Sequence, residues 1–139
     1  MPRFVLDCSV AMTWCFEDEA SPETDAILDS LKEEHEAIVP SLWHLEVANV
    51  LLNAERHGRT NPKRVSDCVR QLEKLPVTAD AGTMKRVFKA IVLLAREHHL
   101  STYDAAYLEL AIRETVPLAT IDQPLQLAAR KAGVVVIPK

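Results

Sequence analysis

The sequence predicts an α/β fold in which helices cover both faces of a parallel sheet. Short apolar segments alternate with longer helical patterns along the whole chain, which is typical of repeated β–α units. The short segments are continuously apolar, as expected for strands buried on both faces. With 139 residues, 48% of them hydrophobic, the chain has the size of one domain, which we expect to span residues 1–139.

Five short apolar segments are the candidate strands, at residues 4–6, 37–39, 76–78, 118–120 and 134–137. Helices are predicted between them. Ser21-Pro22 and Asn61-Pro62 each combine an N-cap residue with proline at the first helical position. Gly58 and Gly133 end two helical patterns. The predicted helices are a short one after residue 9, then 22 onward, 42–57, 62–75, 83–98, 102–113 and 123–133.

Four carboxylates, each beside an apolar segment that should be core, are the most informative residues: Asp7, Glu46, Asp104 and Asp122. Asp7 and Asp122 come just past two predicted strands. Glu46 lies in the first turns of the helix after the second strand, and Asp104 in the first turn of the helix before the fourth. Ligand sites of open parallel sheets lie beyond the carboxyl ends of the strands. We therefore expect all four at one end of the sheet.

Converging carboxylates near a hydrophobic core repel one another unless a cation compensates them. Magnesium prefers oxygen ligands, and a bound divalent ion lowers the pKa of a coordinated water. The pattern therefore favours a metal-dependent enzyme, and a nuclease in particular. Each acid taken alone has a simpler interpretation. The charge of Asp104 could simply stabilise a helix N-terminus, and Glu46 could face solvent. Asp7 could cap a strand end, and Asp122 could belong to a turn.

Other features exclude some classes of protein. The chain contains only three glycines and neither a GxGxxG motif nor a P-loop. No apolar run is long enough to span a membrane, and the N-terminus lacks the pattern of a signal peptide, so we expect a cytoplasmic protein. Three cysteines without a CxxC pair fit a reducing compartment, with the thiols as small packing groups.

The net charge of −4 is not typical of a nucleic-acid binder, but the basic residues are unevenly placed. Residues 56–64 contain four Arg or Lys and one His with no acid, and a second basic group consists of Lys85, Arg86 and Lys89. Two interpretations stay open, solvated helix ends or a rim that contacts phosphates. Trp14, Phe16 and Trp43 are expected in the core rather than at an interface.

Four segments together resemble the motifs of one family. FVLDCSVA at 4–11, LWHLEVANVL at 42–51, YDAAYLELA at 103–111 and LATIDQPL at 118–125 are similar, in order, to the motifs of PIN-domain ribonucleases. The length of the chain is similar to that of the VapC-type toxins of toxin–antitoxin pairs. This resemblance implies a PIN-like fold with five parallel strands in the order 3-2-1-4-5. Cys8 departs from the motif, where small or hydroxyl residues are common.

The resemblance also implies site residues, cofactors and partners. Asp7, Glu46, Asp104 and Asp122 would bind Mg²⁺ or Mn²⁺, with Asp7 and Asp104 as direct ligands and the other two acting directly or through water. Thr120 and Ser9 would be the hydroxyl residues that accompany the fourth and first acids. The protein would be an endoribonuclease that cleaves RNA, forms a homodimer and is silenced by an antitoxin protein.

Two rival functions remain at this point. A catalytically idle PIN-fold binding module would keep the fold without the chemistry. A metal-dependent phosphatase is also an aspartate-rich α/β enzyme, although Ser9 stands where such enzymes carry a second aspartate.

Overall fold

The computed structural model describes residues 2–139 and confirms the predicted α/β class. Five parallel strands form one sheet in the order β3-β2-β1-β4-β5, as the resemblance implied. The central strand is β1, whose neighbours are β2 and β4. The strand bounds are Arg3–Leu6 (β1), Glu36–Val39 (β2), Val77–Ala79 (β3), Leu118–Ala119 (β4) and Val136–Ile137 (β5).

The helices also follow the predicted order. They are Cys8–Thr13 (α1), Pro22–Glu33 (α2), Trp43–Arg56 (α3), Pro62–Glu73 (α4), Thr83–Arg86 (α5), Val92–His98 (α6), Thr102–Glu114 (α7) and Gln123–Lys131 (α8). The side chains of Ser21 and Asn61 accept the predicted capping bonds from the amides of Thr24 and Arg64. Gly58, just after α3, has a φ of +73°, a conformation that glycine adopts without steric cost.

The sheet forms the centre of the hydrophobic core. Val5 and Leu6 of β1 and Leu118 and Ala119 of β4 are fully buried. Leu6 pairs with Ala119, so the carboxyl ends of β1 and β4 lie side by side. Of the three large aromatic residues expected in the core, Trp43 and Phe16 are buried and Trp14 is partly buried against the core.

The segment 83–98 differs from the single helix that the sequence predicts. Between α5 and α6 lies a π-helical segment, Val87–Ile91, in which Lys89 has non-helical backbone angles (φ −120°, ψ −107°). The hydrophobic pattern continues through this interruption, since Ile91 is buried against Ala105 and Ala106 of α7. A local apolar pattern therefore could not reveal the break.

The prediction that all cysteines are free thiols is wrong. Cys15, after α1, and Cys68, in α4, form a disulfide with their Cα atoms 5.7 Å apart, while Cys8 is free and buried. The two paired cysteines are 53 residues apart in sequence, so only the packing of α4 beside the end of α1 brings them together. Within residues 2–139, no helix is both long enough and apolar enough to cross a membrane.

Candidate active site

The structure places the four predicted carboxylates on elements that meet at the carboxyl end of the sheet. Asp7 directly follows β1, and Asp122 lies three residues beyond the end of β4. Glu46 lies in the first turn of α3, and Asp104 in the first turn of α7. Below, these residues are called the acidic quartet.

Asp7 is the most deeply buried member, with 5% of its surface exposed. Its Oδ2 atom accepts two hydrogen bonds, one from the hydroxyl of Ser9 at 2.6 Å and one from that of Thr120 at 2.8 Å. Charge-assisted bonds of this kind are stronger than those between neutral groups. They hold the carboxylate in one orientation and occupy only one of its two oxygens.

Backbone amides hold the two hydroxyl groups in turn. The amide of Ile121 donates to Ser9 Oγ and that of Asp122 donates to Thr120 Oγ1, both at 3.1 Å. Each hydroxyl therefore accepts from the turn after β4 and donates to Asp7. The sequence paired Ser9 with the first acid and Thr120 with the fourth; in the structure both hydroxyls donate to Asp7, and Thr120 contacts Asp122 only by accepting from its amide.

Glu46 is half-buried and is held by a residue that the sequence reasoning missed. The hydroxyl of Tyr107, which is fully buried in α7, donates to Glu46 Oε1 at 2.5 Å. Tyr107 follows Asp104 by three residues, so both lie on the same side of the helix. The sequence did contain a signal for Tyr107: it is a tyrosine within an apolar stretch, one helical turn after Asp104, a predicted site residue.

Asp122 and Asp104 differ in how their carboxylates are held. Asp122 is the N-cap of α8, and its Oδ2 atom accepts from the amide of Leu125 at 3.0 Å. Asp122 thus has the local structural role that its simpler interpretation suggested and also lies at the site. Asp104 is not the cap of α7, because Ser101 is, accepting from the Asp104 amide at 3.0 Å. Among residues 2–139, no donor to the Asp104 carboxylate is found.

The quartet carboxylates interact through their charges. Burial, followed by the charges of Asp7, Asp122 and Glu46, raises the pKa of Asp104 to about 6. Burial also raises the pKa of Asp7 and that of Glu46, against the opposing effect of their hydroxyl donors. The members are therefore close enough to disfavour one another's ionised forms. No cation of residues 2–139 forms an ion pair with any of them.

The residue types fit a hard divalent cation. Asp7, Glu46 and Asp122 each have one oxygen engaged by a donor, which leaves the second oxygen of each available. In the described part of the chain, no three His, Cys, Asp or Glu side chains stand close enough together to hold an ion directly. Magnesium retains several waters and is often bound through only one or two carboxylates, so this spacing suits an ion held partly through water.

The basic groups identified in the sequence are partly engaged elsewhere. Arg59 pairs with Asp18 and Glu19 at 3.0 and 2.7 Å. Arg86 donates to the carbonyl of Gly82 and lies 3.7 Å from Glu109. Lys63, Lys85 and Lys89 are the lysines of these groups, and none of them forms an ion pair within residues 2–139.

Cys8, the departure from the expected motif, is a buried free thiol. It is buried at the start of α1, next to Asp7. Burial, with the nearby charges of Glu46 and Asp7, raises the pKa of its thiol to about 12. Since the thiolate is the reactive form, this rise in pKa disfavours reaction of the Cys8 thiol.

An α/β domain with a carboxylate cluster at the end of its sheet is thus defined, and comparison with known proteins gives its family. The PIN domain family model matches residues 4–131. The chain belongs to the PIN domain family. Ribonuclease VapC3 of Pyrobaculum aerophilum is 27% identical over 123 residues, which cover 88% of this chain and 92% of that protein.

Solved structures share the fold. The crystal structure of PAE2754 from Pyrobaculum aerophilum matches with a TM-score of 0.71 at 20% identity, covering 98% of this chain and 84% of that one. VapBC2 from Rickettsia felis, bound to a DNA fragment from its promoter, matches with a TM-score of 0.67 at 10% identity and 96% coverage of both chains. FitAcB from Neisseria gonorrhoeae matches with a TM-score of 0.56 at 19% identity, covering 96% of this chain and 95% of that one.

Proposed function

We propose that this protein is a Mg²⁺- or Mn²⁺-dependent endoribonuclease and the toxin of a toxin–antitoxin pair. The observation that carries the proposal is the acidic quartet, four mutually interacting carboxylates with no protein cation paired to them within residues 2–139. Membership of the PIN domain family and similarity to a protein named Ribonuclease VapC3 support the assignment to RNA cleavage.

Each residue of the site has a distinct task in this proposal. Asp7 and Asp104 would hold the ion directly, and Glu46 and Asp122 would complete the site directly or through water. A bound divalent ion supplies a water of lowered pKa and neutralises charge on the phosphate oxygens. Ser9 and Thr120 orient the Asp7 carboxylate, and their hydroxyl bonds oppose the rise in its pKa that burial causes. Lys63, Lys85 and Lys89 are candidate contacts for the RNA backbone.

The proposed partners are an antitoxin protein and a second copy of this chain. Similarity to a protein named Ribonuclease VapC3 and to the VapBC2 and FitAcB structures supports an antitoxin partner. Large apolar side chains of α3 and of the α5–π segment support a homodimer, since Leu45, Met84 and Phe88 are 76%, 73% and 91% exposed. Light scattering on Phe88→Asp beside wild type tests this, with a dimer for wild type and a monomer for the variant as the expected result.

The central test is cleavage of a mixed RNA pool by purified protein with Mg²⁺, with Mn²⁺ and with chelator. We expect wild type to cut RNA only with a divalent ion and Asp104→Asn to be inactive under all conditions. Glu34→Gln, which alters an exposed acid of no assigned role, is the matched control and should retain full activity.

The two rival functions give different results in the same experiment. Equal lack of cleavage by wild type and Asp104→Asn under every metal condition would favour the idle binding module. Hydrolysis of a small phosphate ester without RNA cleavage would favour the phosphatase. The uncompensated quartet disfavours the binding module, because a protein without metal chemistry gains nothing from buried, mutually repelling acids.

A further inference from the structure

Tyr107 is a buried tyrosine whose ring would pack as well without its hydroxyl. It is the largest of the fully buried side chains, and it sits in the middle of α7. A buried hydroxyl is costly unless it is hydrogen-bonded. Its one hydrogen-bond partner within residues 2–139 is Glu46 Oε1. Packing therefore accounts for an aromatic ring at this position, and the bond to Glu46 accounts for its hydroxyl group.

The Tyr107–Glu46 bond joins the two helices within which members of the acidic quartet lie. Glu46 belongs to α3 and Tyr107 to α7, 61 residues later, one turn beyond Asp104. Because α7 supplies both Asp104 and Tyr107, the bond fixes the Glu46 carboxylate relative to the helix that carries Asp104. A glutamate has three side-chain torsions, so without this bond its carboxylate would sample several orientations.

The bond repeats a pattern seen at two other members of the quartet. Ser9 and Thr120 engage only Oδ2 of Asp7, and the Leu125 amide engages only Oδ2 of Asp122. Tyr107 likewise engages only Oε1 of Glu46. In each case one carboxylate oxygen is held by a donor and the other is left for another ligand. Outer partners of this kind orient metal ligands in proteins generally.

We propose that Tyr107 is a positioning residue, whose hydroxyl holds Glu46 in the orientation in which its second oxygen binds the divalent ion, directly or through a coordinated water. This inference rests on the proposed function, since it requires the quartet to bind a metal ion. Tyr107 itself touches neither the ion nor the RNA in this proposal. Its effect is on the strength of metal binding through Glu46.

The test measures Mn²⁺ affinity directly, by electron paramagnetic resonance of free Mn²⁺ during titration of the protein. Tyr107→Phe removes one oxygen and keeps the ring. We expect Mn²⁺ to bind about tenfold more weakly to this variant, as is usual for loss of an outer-shell partner. Tyr103→Phe is the matched control, because Tyr103 lies on the same helix, is 63% exposed and should leave the affinity unchanged.

A double-mutant cycle separates positioning from general disturbance of the fold. Glu46→Gln should weaken Mn²⁺ binding, and adding Tyr107→Phe to it should cause no further loss, because the two residues act as one unit. An additive loss in the double variant would overturn the proposal, as would an unchanged affinity in Tyr107→Phe. Thermal melts of all variants identify any loss due to unfolding, in which case the cycle in the Glu46→Gln background decides.

The same titration distinguishes failure of this inference from failure of the proposed function. If wild type binds Mn²⁺ and Glu46→Gln weakens it while Tyr107→Phe does not, the positioning role is wrong and the nuclease assignment stands. If wild type binds no Mn²⁺ and cleaves no RNA, both are wrong. With cleavage as a second readout, we expect Tyr107→Phe to raise the Mn²⁺ concentration for half-maximal rate more than it lowers the maximal rate.

Discussion

Two groups of acidic side chains lie near the sheet, and they differ in whether an arginine is paired with them. In the acidic quartet, carboxylates face one another without a protein cation, and the pKa of Asp104 rises to about 6. In a second group, Asp80 and Glu109 surround the guanidinium of Arg113, at 2.6 and 2.9 Å. Hydrogen bonds from Arg113, more than any other cause, lower the pKa of Asp80 to about 2.

The second group, called here the arginine cluster, consists of Asp80, Glu109, Arg86 and Arg113. Arg113 donates two bonds to Asp80 and three to Glu109. These three side chains are largely buried, with exposures of 7% for Glu109, 11% for Asp80 and 20% for Arg113. The comparison teaches that this chain can supply cations to buried acids where it needs stability. The acidic quartet has no paired cation within residues 2–139, which is the arrangement expected of a site that binds a cation from solution.

The largest effect should follow from a change in the quartet. Asp7→Asn keeps the size of the side chain and removes its charge, so the divalent ion loses a ligand. We expect RNA cleavage to fall at least about 1,000-fold, equivalent to about 4 kcal/mol of transition-state stabilisation. Single-turnover cleavage rates measure this. Asp29→Asn, which changes an exposed acid, should cleave at the wild-type rate, and an active Asp7→Asn would contradict the site assignment.

A change in the arginine cluster should affect stability instead of the chemistry. Arg113→Met removes the only cation paired with Asp80 within residues 2–139 and leaves Glu109 with Arg86 at 3.7 Å, and we expect a loss of about 3 kcal/mol in the free energy of unfolding. Urea denaturation measures the loss. Arg3→Met breaks a more exposed pair with Glu114 and should cost less than about 1 kcal/mol. Equal costs for the two variants would mean that the cluster is not specially stabilising.

Divalent ions should stabilise the quartet and leave the arginine cluster unaffected. An ion that binds the folded state alone adds about 2.7 kcal/mol at a concentration 100 times its Kd. We expect Mn²⁺ to raise the melting temperature of wild type and of Arg113→Met by similar free energies, and to leave Asp104→Asn nearly unchanged. Differential scanning fluorimetry over a Mn²⁺ series gives this comparison. Equal stabilisation of Asp104→Asn would place the ion elsewhere.

The smallest effect is the pH dependence of the free energy of unfolding, measured with chelator present. The contributions of the two groups to it change with pH in opposite directions. The pKa of Asp104 is raised from 3.8 to about 6 in the folded state, so its contribution to stability falls as the pH rises from about 4 to 6. The pKa of Asp80 is lowered to about 2, so its contribution is lost as the pH falls from about 4 to 2.

The variant Asp104→Asn separates these two contributions. We expect this variant to show a smaller decline between pH 4 and 6, because Asp7 and Glu46, whose pKa values are also raised, are still present, and to keep the decline below pH 4. Urea denaturation in a pH series with chelator measures both slopes. A decline between pH 4 and 6 that is as steep in Asp104→Asn as in wild type would show that Asp104 does not contribute to it.

The sequence by itself determined the order of strands and helices, because apolar runs and capping residues are local signals. Ser21-Pro22, Asn61-Pro62 and Gly58 mark helix ends with the groups that physically form them. It also determined which acids to examine, since Asp7 and Asp122 follow strands and the carboxyl ends of parallel strands meet at one edge. The resemblance of four motifs to one family supplied the strand order that the sheet then confirmed.

Only the tertiary structure decided the contacts that span long stretches of sequence. The Tyr107–Glu46 bond joins residues 61 apart, and the Cys15–Cys68 disulfide joins residues 53 apart. Asp80 and Arg113 become partners in the same way, across 33 residues. Such pairs have no local pattern, because each residue type is compatible with many partners and only packing chooses among them. Which acids are paired with an arginine, and which have no cation beside them within residues 2–139, is therefore decided by the three-dimensional arrangement.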